Sequence, residues 1–255
     1  MSGIRITIDQ DNTGNYVYNC ESTRPFEDIK PSLFNVALDI IQSERAKVIG
    51  KVDEKFYDKE YFEGRSEKSG LVDYDNQSKA YALEHAKERV QKLIFKTISP
   101  ETVKDHRIKI LEIGCAFGHT VDALRGLGYE AYGVDISEYA INKHKQNYKS
   151  VKDWTKGLQE TDMPIPYVNM IYGFNLMEHI PELDLRRFIF NCHYNLSESG
   201  ILFFTIDPVW GGDQSHCTIH SRDWWDDLFT ESGFEIHKEG TELFKAINGH
   251  VYRRT

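Results

Sequence analysis

The stretch Ile110-Leu111-Glu112-Ile113-Gly114-Cys115-Ala116-Phe117-Gly118 sets a run of β-formers against a glycine-bounded turn. Gly118 to Leu127 then reads as a helix that ends at Gly128. Strand, glycine loop and helix in that order open a parallel βα unit. Glycine at 114 and 118 permits backbone conformations that other residues avoid and lets a second molecule approach the main chain. The helix start that follows offers N–H groups with no intrahelical partner. Asp135 ends the next predicted strand, Ala131 to Val134, where a carboxylate can accept both hydroxyls of a ribose.

Outward from this stretch the alternation continues. Glu138 to Tyr148 and Leu183 to Leu196 read as helices, and Met170 to Phe174 and Ile201 to Ile206 as strands. Ser199-Gly200 marks a turn between the second of those helices and the second of those strands. Asp223 to Ser232 is a helix stopped by Gly233, and Phe234 to His237 begins another strand. Strands alternating with helices predict an α/β fold with a doubly wound, mostly parallel sheet and helices on both faces. Ligands in such sheets bind beyond the carboxyl ends of the strands. Before residue 107 the pattern is less regular. Ile4 to Ile8 alternates like a strand, Pro31 to Lys47 carries a helical stripe, and Ala80 to Ile98 reads as a helix. We therefore expect residues 1–55 to be an N-terminal extension, either a cap over an acceptor site or the contact of a homodimer. Residues 56–255 form the main domain, with an aromatic, charged segment at 56–75.

The chain has 255 residues, enough to bury a core without disulfides. Lys and Arg number 31 against 40 Asp and Glu, a net charge of -9. No basic stripe appears, which argues against a nucleic-acid partner. The apolar runs fall far short of the ~20 residues of a membrane span, and the N-terminus has no secretory pattern. The cysteines at 20, 115, 192 and 217 show no CxxC spacing, so free thiols in a cytoplasmic protein are the economical reading.

Two adenosine-containing cofactors compete for the loop. The nicotinamide fingerprint G-x-G-x-x-G is absent, because the loop reads Gly114-Cys115-Ala116-Phe117-Gly118. Glu112 beside the loop would repel a pyrophosphate and suits a cationic ligand. S-adenosylmethionine carries a sulfonium and an ammonium and no phosphate. On these residues the chain resembles the class I, Rossmann-like S-adenosylmethionine-dependent methyltransferases. Their first motif, L-E-x-G-x-G-x-G, is similar to Leu111 to Gly118 with Ala116 at the middle glycine. Val134-Asp135-Ile136-Ser137 resembles the second motif. Tyr172-Gly173-Phe174-Asn175-Leu176-Met177-Glu178-His179-Ile180 resembles the fourth strand and its exit, and Leu196 to Gly200 the turn before strand five. The resemblance spans roughly residues 107 to 240. It implies a seven-stranded sheet, S-adenosylmethionine as cofactor, and a cofactor site of Glu112, Gly114, Cys115, Ala116, Gly118, Asp135, Ile136, Asn175 and Leu176. The adenine contact falls near Gln159 or Glu160.

Tyr57 to Arg65 is similar to a segment ahead of the first motif in sugar and small-metabolite methyltransferases. That resemblance implies a lid with Tyr61 and Arg65 on the cofactor, Arg65 matching its carboxylate. Asp213 to Ile219 looks like an acceptor-pocket loop. The resemblance points to methyl transfer onto a hydroxyl or amine of a small polar acceptor, with a sugar or glycan precursor favoured. His179, His216 and Asp207 are rival general bases, since a neutral imidazole or a carboxylate can take a hydroxyl proton. Trp224 and Trp225 are either core or acceptor wall. Asp213, His216, Cys217 and His220 are metal-capable types, but Gly211 to Ser215 is turn chemistry and spacing without a helix is weak, so no metal site is assigned. Tyr139 and Lys143 match Y-x-x-x-K, yet they lie just after strand two, away from a reacting centre, and read as an exposed helix face. The rival readings are a nicotinamide-dependent oxidoreductase and a non-catalytic cofactor-binding module.

Overall fold

The computed structural model describes residues 4–10, 16–22, 55–63, 79–98, 108–147, 167–207 and 215–255. The predicted helix over Pro31 to Lys47 lies outside them. The chain divides into two units, Met1–Lys51 and Val52–Thr255. In the first, β1 (Ile4–Gln10) and β2 (Tyr16–Ser22) form an antiparallel pair registered from Ile4 opposite Ser22 to Gln10 opposite Tyr16.

The second unit opens with α1 (Lys59–Glu63) and then α2 (Lys79–His85). A π-helical segment, Ala86–Gln91, carries α2 into α3 (Lys92–Thr97). The sequence reads this stretch as one regular helix. The widened turn appears where His85 packs on Phe174 at 4.1 Å between ring centroids and Arg89 lies over the same ring at 5.3 Å. Such π-turns mark places where a helix adjusts to a local demand. Next come β3 (Lys109–Ile113), α4 (His119–Gly126), β4 (Glu130–Val134), α5 (Glu138–Asn147) and β5 (Val168–Phe174). A 3-10 turn, Met177–His179, leads to α6 (Glu182–Asn195) and β6 (Leu196–Thr205). α7 (Arg222–Glu231), β7 (Phe234–Ile236), α8 (Lys238–Phe244) and β8 (Gly249–Arg254) complete the chain.

The strands form one sheet in the order β4-β3-β5-β6-β8-β7. β3 pairs in parallel with β4 and β5, and β5 with β6, while β8 runs antiparallel to β6 and β7. The α/β, mostly parallel architecture is as the sequence predicts. The strand count is not: the sheet has six strands among the described residues, where the resemblance implies seven. Residues 148–166, between α5 and β5, lie outside the described residues. The turn at Ser199-Gly200 is an irregularity inside β6, where pairing with β5 shifts and Ser199 takes φ +57°.

Period-two alternation divides the core. Leu111, Ile171, Leu202 and Phe204 face one side, packed with Leu185, Phe188 and Ile189 of α6 and Trp225 and Phe229 of α7. Ile110, Met170, Tyr172, Ile201 and Phe203 face the other, against Leu93 and Ile94 of α3 and Val121 and Leu124 of α4. Burial on both faces explains why β3 reads KILEI rather than alternating with polar residues. The chain leaves β3 for β4 on one side and returns to β5 on the other. The crevice between the carboxyl ends of β3 and β5 is therefore a topological switch point.

Candidate active site

The loop after β3 is held by its neighbours. The N–H groups of Gly114 and Cys115 donate to the Val134 carbonyl. Gly114 has φ +72°, and a Cβ there would sit 3.1 Å from Leu176 Cδ1 across the switch point. Gly118, also at positive φ, starts α4. Ala116 has φ +45°, a region that costs a residue with a Cβ about 1–2 kcal/mol. Its N–H donates to Asp135 Oδ2 at 2.8 Å, and the Ser137 N–H donates to Oδ1 at 2.8 Å. Asp135 thus braces the loop with both oxygens. Burial pushes its pKa up, and the N–H groups of Ser137, Ala116 and Ile136 oppose that. Ile136 is half-buried beside it.

Glu112 stands at the end of β3, opposite Gly133 and Tyr172. Its side chain is 6% exposed, and Oε2 has no hydrogen-bond partner. Burial pushes its pKa up to about 8, with the Tyr172 hydroxyl opposing the shift and the Asp135 carboxylate adding to it. A buried acid without a counter-charge suits a ligand that brings positive charge. Cys115 is buried, and its pKa is raised by that burial, so it acts as packing and as a backbone member of the loop rather than as a nucleophile.

α1 packs on the same loop. Tyr61 and Phe62 form a small apolar cluster with Phe117 and Ala140, with Ala116 and Tyr139 at its margin. Tyr61 is therefore an anchor within this cluster. The Glu63 carboxylate accepts from both the Tyr139 hydroxyl and the Lys143 ammonium, and these hold its pKa down. Tyr139 and Lys143 are partly buried and clasp α1 to α5, a use the sequence reading of an exposed face misses. Arg65, Gln159, Glu160 and Asp213 lie outside the described residues.

On the β5–β6 side, the Asn175 N–H donates to the Thr205 carbonyl and Oγ1 at 3.0 and 2.9 Å, while Thr205 Oγ1 donates to Asn175 Oδ1 at 2.9 Å. This fixes the chain where it leaves β5 at φ +46°. His179 and His216 meet with ring centroids 4.7 Å apart. His179 Nδ1 lies 2.7 Å from Ser215 Oγ, and the Tyr57 ring approaches His179 at 6.4 Å. The Asp207 N–H donates to Glu178 Oε1 at 3.1 Å. The N–H groups of Cys217 and Thr218 donate to the Glu178 carbonyl at 2.8 and 3.0 Å, tying the two loops together. The candidate bases thus share one corner beyond the carboxyl ends of β5 and β6. Glu178, given no role by the sequence reading, is the residue that joins them. Its signal was its place beside His179 in the strand-four motif.

His220 does not join His216. It pairs with Glu182 at 2.9 Å and stacks on Trp224 at 3.7 Å between centroids. Trp225 is core at 1% exposure, and Trp224 packs against that core, so neither is seen to wall the corner. Ser221 caps α7, its Oγ accepting from the Trp224 N–H.

Residues 82–239 match the family model described as "Methyltransferase domain". No curated protein matches the chain in sequence. Solved structures share the fold at low identity. An amino pentose methyltransferase from Micromonospora echinaspora gives a TM-score of 0.53 at 11% identity, over 68% of this chain and 92% of that one. Magnesium protoporphyrin IX methyltransferase from Synechocystis gives 0.52 at 12%, over 80% and 100%. An S-adenosylmethionine-dependent methyltransferase from Clostridium acetobutylicum gives 0.52 at 10%, over 69% and 97%.

Proposed function

The chain belongs to the methyltransferase domain family, with the class I, S-adenosylmethionine-dependent architecture; from that premise we propose that it methylates a hydroxyl of a small polar acceptor, a sugar or glycan precursor. The observation that carries the reading is the pairing of a buried, partnerless Glu112 oxygen with an Asp135 carboxylate that braces a positive-φ loop. A cationic cofactor with a ribose fits that pair, and a dinucleotide pyrophosphate does not. Glu112, Gly114, Ala116, Gly118, Asp135, Ile136, Asn175 and Leu176 would hold it, with Tyr61 supporting the loop from α1 and Arg65 on the cofactor carboxylate. When bound, S-adenosylmethionine supplies a methyl group already activated for displacement.

The protein must then align the acceptor within about 3–3.5 Å and remove its proton. That proton is lost at the corner of His179, His216 and Asp207, where Ser215 orients one imidazole. Small amines are the second acceptor class such a corner serves. The shared fold does not choose the acceptor, because an amino pentose enzyme and a porphyrin enzyme both have it. The net charge of -9 disfavours nucleic acid.

The test is S-adenosylhomocysteine release from S-adenosylmethionine across a panel of sugars, nucleotide sugars and small amines. Turnover on a hydroxylated acceptor is expected. His179→Ala and His216→Ala should lower kcat by about 10²-fold or more while cofactor affinity is kept. Turnover confined to amines, or kcat unchanged in both variants, would overturn the hydroxyl reading.

A further inference from the structure

We propose that Glu178, His179 and His216 form a binding site for one divalent transition-metal ion at the acceptor corner. One ligand atom from each of the three lies within 4.8 Å of the other two. Around an ion with bonds of about 2.0–2.1 Å, neighbouring donors stand about 3.3 Å apart, so each group need close by under about 1 Å. Two imidazoles and a carboxylate on one side of an ion, with the remaining positions open, are a set suited to zinc, iron, cobalt or manganese rather than to magnesium or calcium.

The surroundings are those of a built site. Glu178 and His216 are buried and His179 is half-buried. The Asp207 N–H fixes Glu178 Oε1, so the carboxylate cannot swing away. Ser215 Oγ at His179 Nδ1 directs that ring's other nitrogen to a ligand, the outer support that metal-bound histidines usually show. Backbone bonds from Cys217 and Thr218 to the Glu178 carbonyl lock the loop of His216 against the loop of His179. Thr218 Oγ1 adds a bond to the Ile180 carbonyl at 2.7 Å. The ligands come from two loops beyond β5 and β6, so their backbone is preorganised before any ion arrives.

This deepens the proposed function and rests on it only for what the ion does. An ion here would take the acceptor hydroxyl at an open position and lower its pKa. On this proposal His179 and His216 act as ligands rather than as general bases, and their alanine variants lose kcat through loss of the ion. The hydroxyl proton passes to water, and the ion-held oxygen takes the methyl group as the C–S bond breaks and S-adenosylhomocysteine leaves.

The experiment is metal binding to the full-length protein after chelator treatment, with Zn²⁺ by calorimetry and Co²⁺ by visible absorption. One Zn²⁺ per chain and a Co²⁺ ligand-field spectrum are expected. Glu178→Gln and His216→Asn should each weaken Zn²⁺ at least about tenfold, since even loss of an outer partner of a ligand costs about 10–100-fold. His220→Asn and Asp135→Ala should leave binding unchanged, which separates this site from surface histidines and from the cofactor site. Circular dichroism of each variant identifies those that fail to fold, and His179→Asn is the replacement ligand variant. Absence of stoichiometric binding, or binding that survives loss of every one of the three ligands, overturns the proposal. Methyl transfer by metal-free protein at the full rate sinks the ion's role while leaving the methyltransferase reading intact. Metal bound with no methyl transfer on any acceptor keeps the site and sinks that reading.

Discussion

Glu112 is carried to the end of β3 with one carboxylate oxygen buried and partnerless, and that burial raises its pKa to about 8. Near neutral pH the cofactor-free protein therefore keeps a proton there. A ligand bearing a sulfonium and an ammonium pulls the pKa down and expels it. Calorimetry of S-adenosylmethionine binding at pH 7 in buffers of differing ionisation heat should show release approaching one proton per site. Glu112→Gln should abolish that release. The same shift sets the pH dependence of the cofactor-free fold. An acid raised from 4.5 to about 8 adds stability below 4.5 that is lost as pH rises towards 8. Tm should fall across that window, less steeply in Glu112→Gln. At this scale the sequence was informative where chemistry is local: an acid before glycines, and an acid after the next strand. It marked Glu178 only by its place beside His179, because the residue's role depends on His216, brought from another loop by folding.

The short helix α1 is secured to α5 by Glu63, which gathers Tyr139 and Lys143, and by Phe62 against Phe117. Because Phe117 lies in the loop after β3, the clasp acts on the cofactor site through that loop. Glu63→Gln should therefore weaken S-adenosylmethionine binding by a few fold, about 0.5–1 kcal/mol for a partly buried ion pair near the surface. Tm should change little. Equal cofactor affinity in the variant and the wild type would show that the clasp does not reach the loop. The Y-x-x-x-K spacing was visible in sequence, but its partner was not, since Glu63 is distant along the chain. The π-helical segment at Ala86–Gln91 was equally hidden, since it coincides with contacts of His85 and Arg89 on Phe174, which is distant along the chain.

Across the larger unit, Val52–Thr255, the alternation of strand and helix made the sheet legible, and glycine punctuation placed several of its elements. The antiparallel β8 was missed because it follows a short helix and a 3-10 turn rather than a crossover helix. Both core clusters lie within this unit. We expect residues 52–255 produced alone to melt cooperatively and to keep S-adenosylmethionine affinity within about threefold, ~0.7 kcal/mol. A non-cooperative melt would show that residues 1–51 are needed for the fold. The central claim, that the loop after β3 and Asp135 form a site for a cationic adenosyl cofactor, is tested most directly by calorimetry. S-adenosylmethionine, S-adenosylhomocysteine and NADH would be titrated into wild type and Asp135→Ala. Binding of both adenosyl ligands to wild type, its loss in Asp135→Ala, and no binding of NADH is the predicted result. NADH bound in place of the adenosyl ligands, or adenosyl binding untouched by Asp135→Ala, would contradict it.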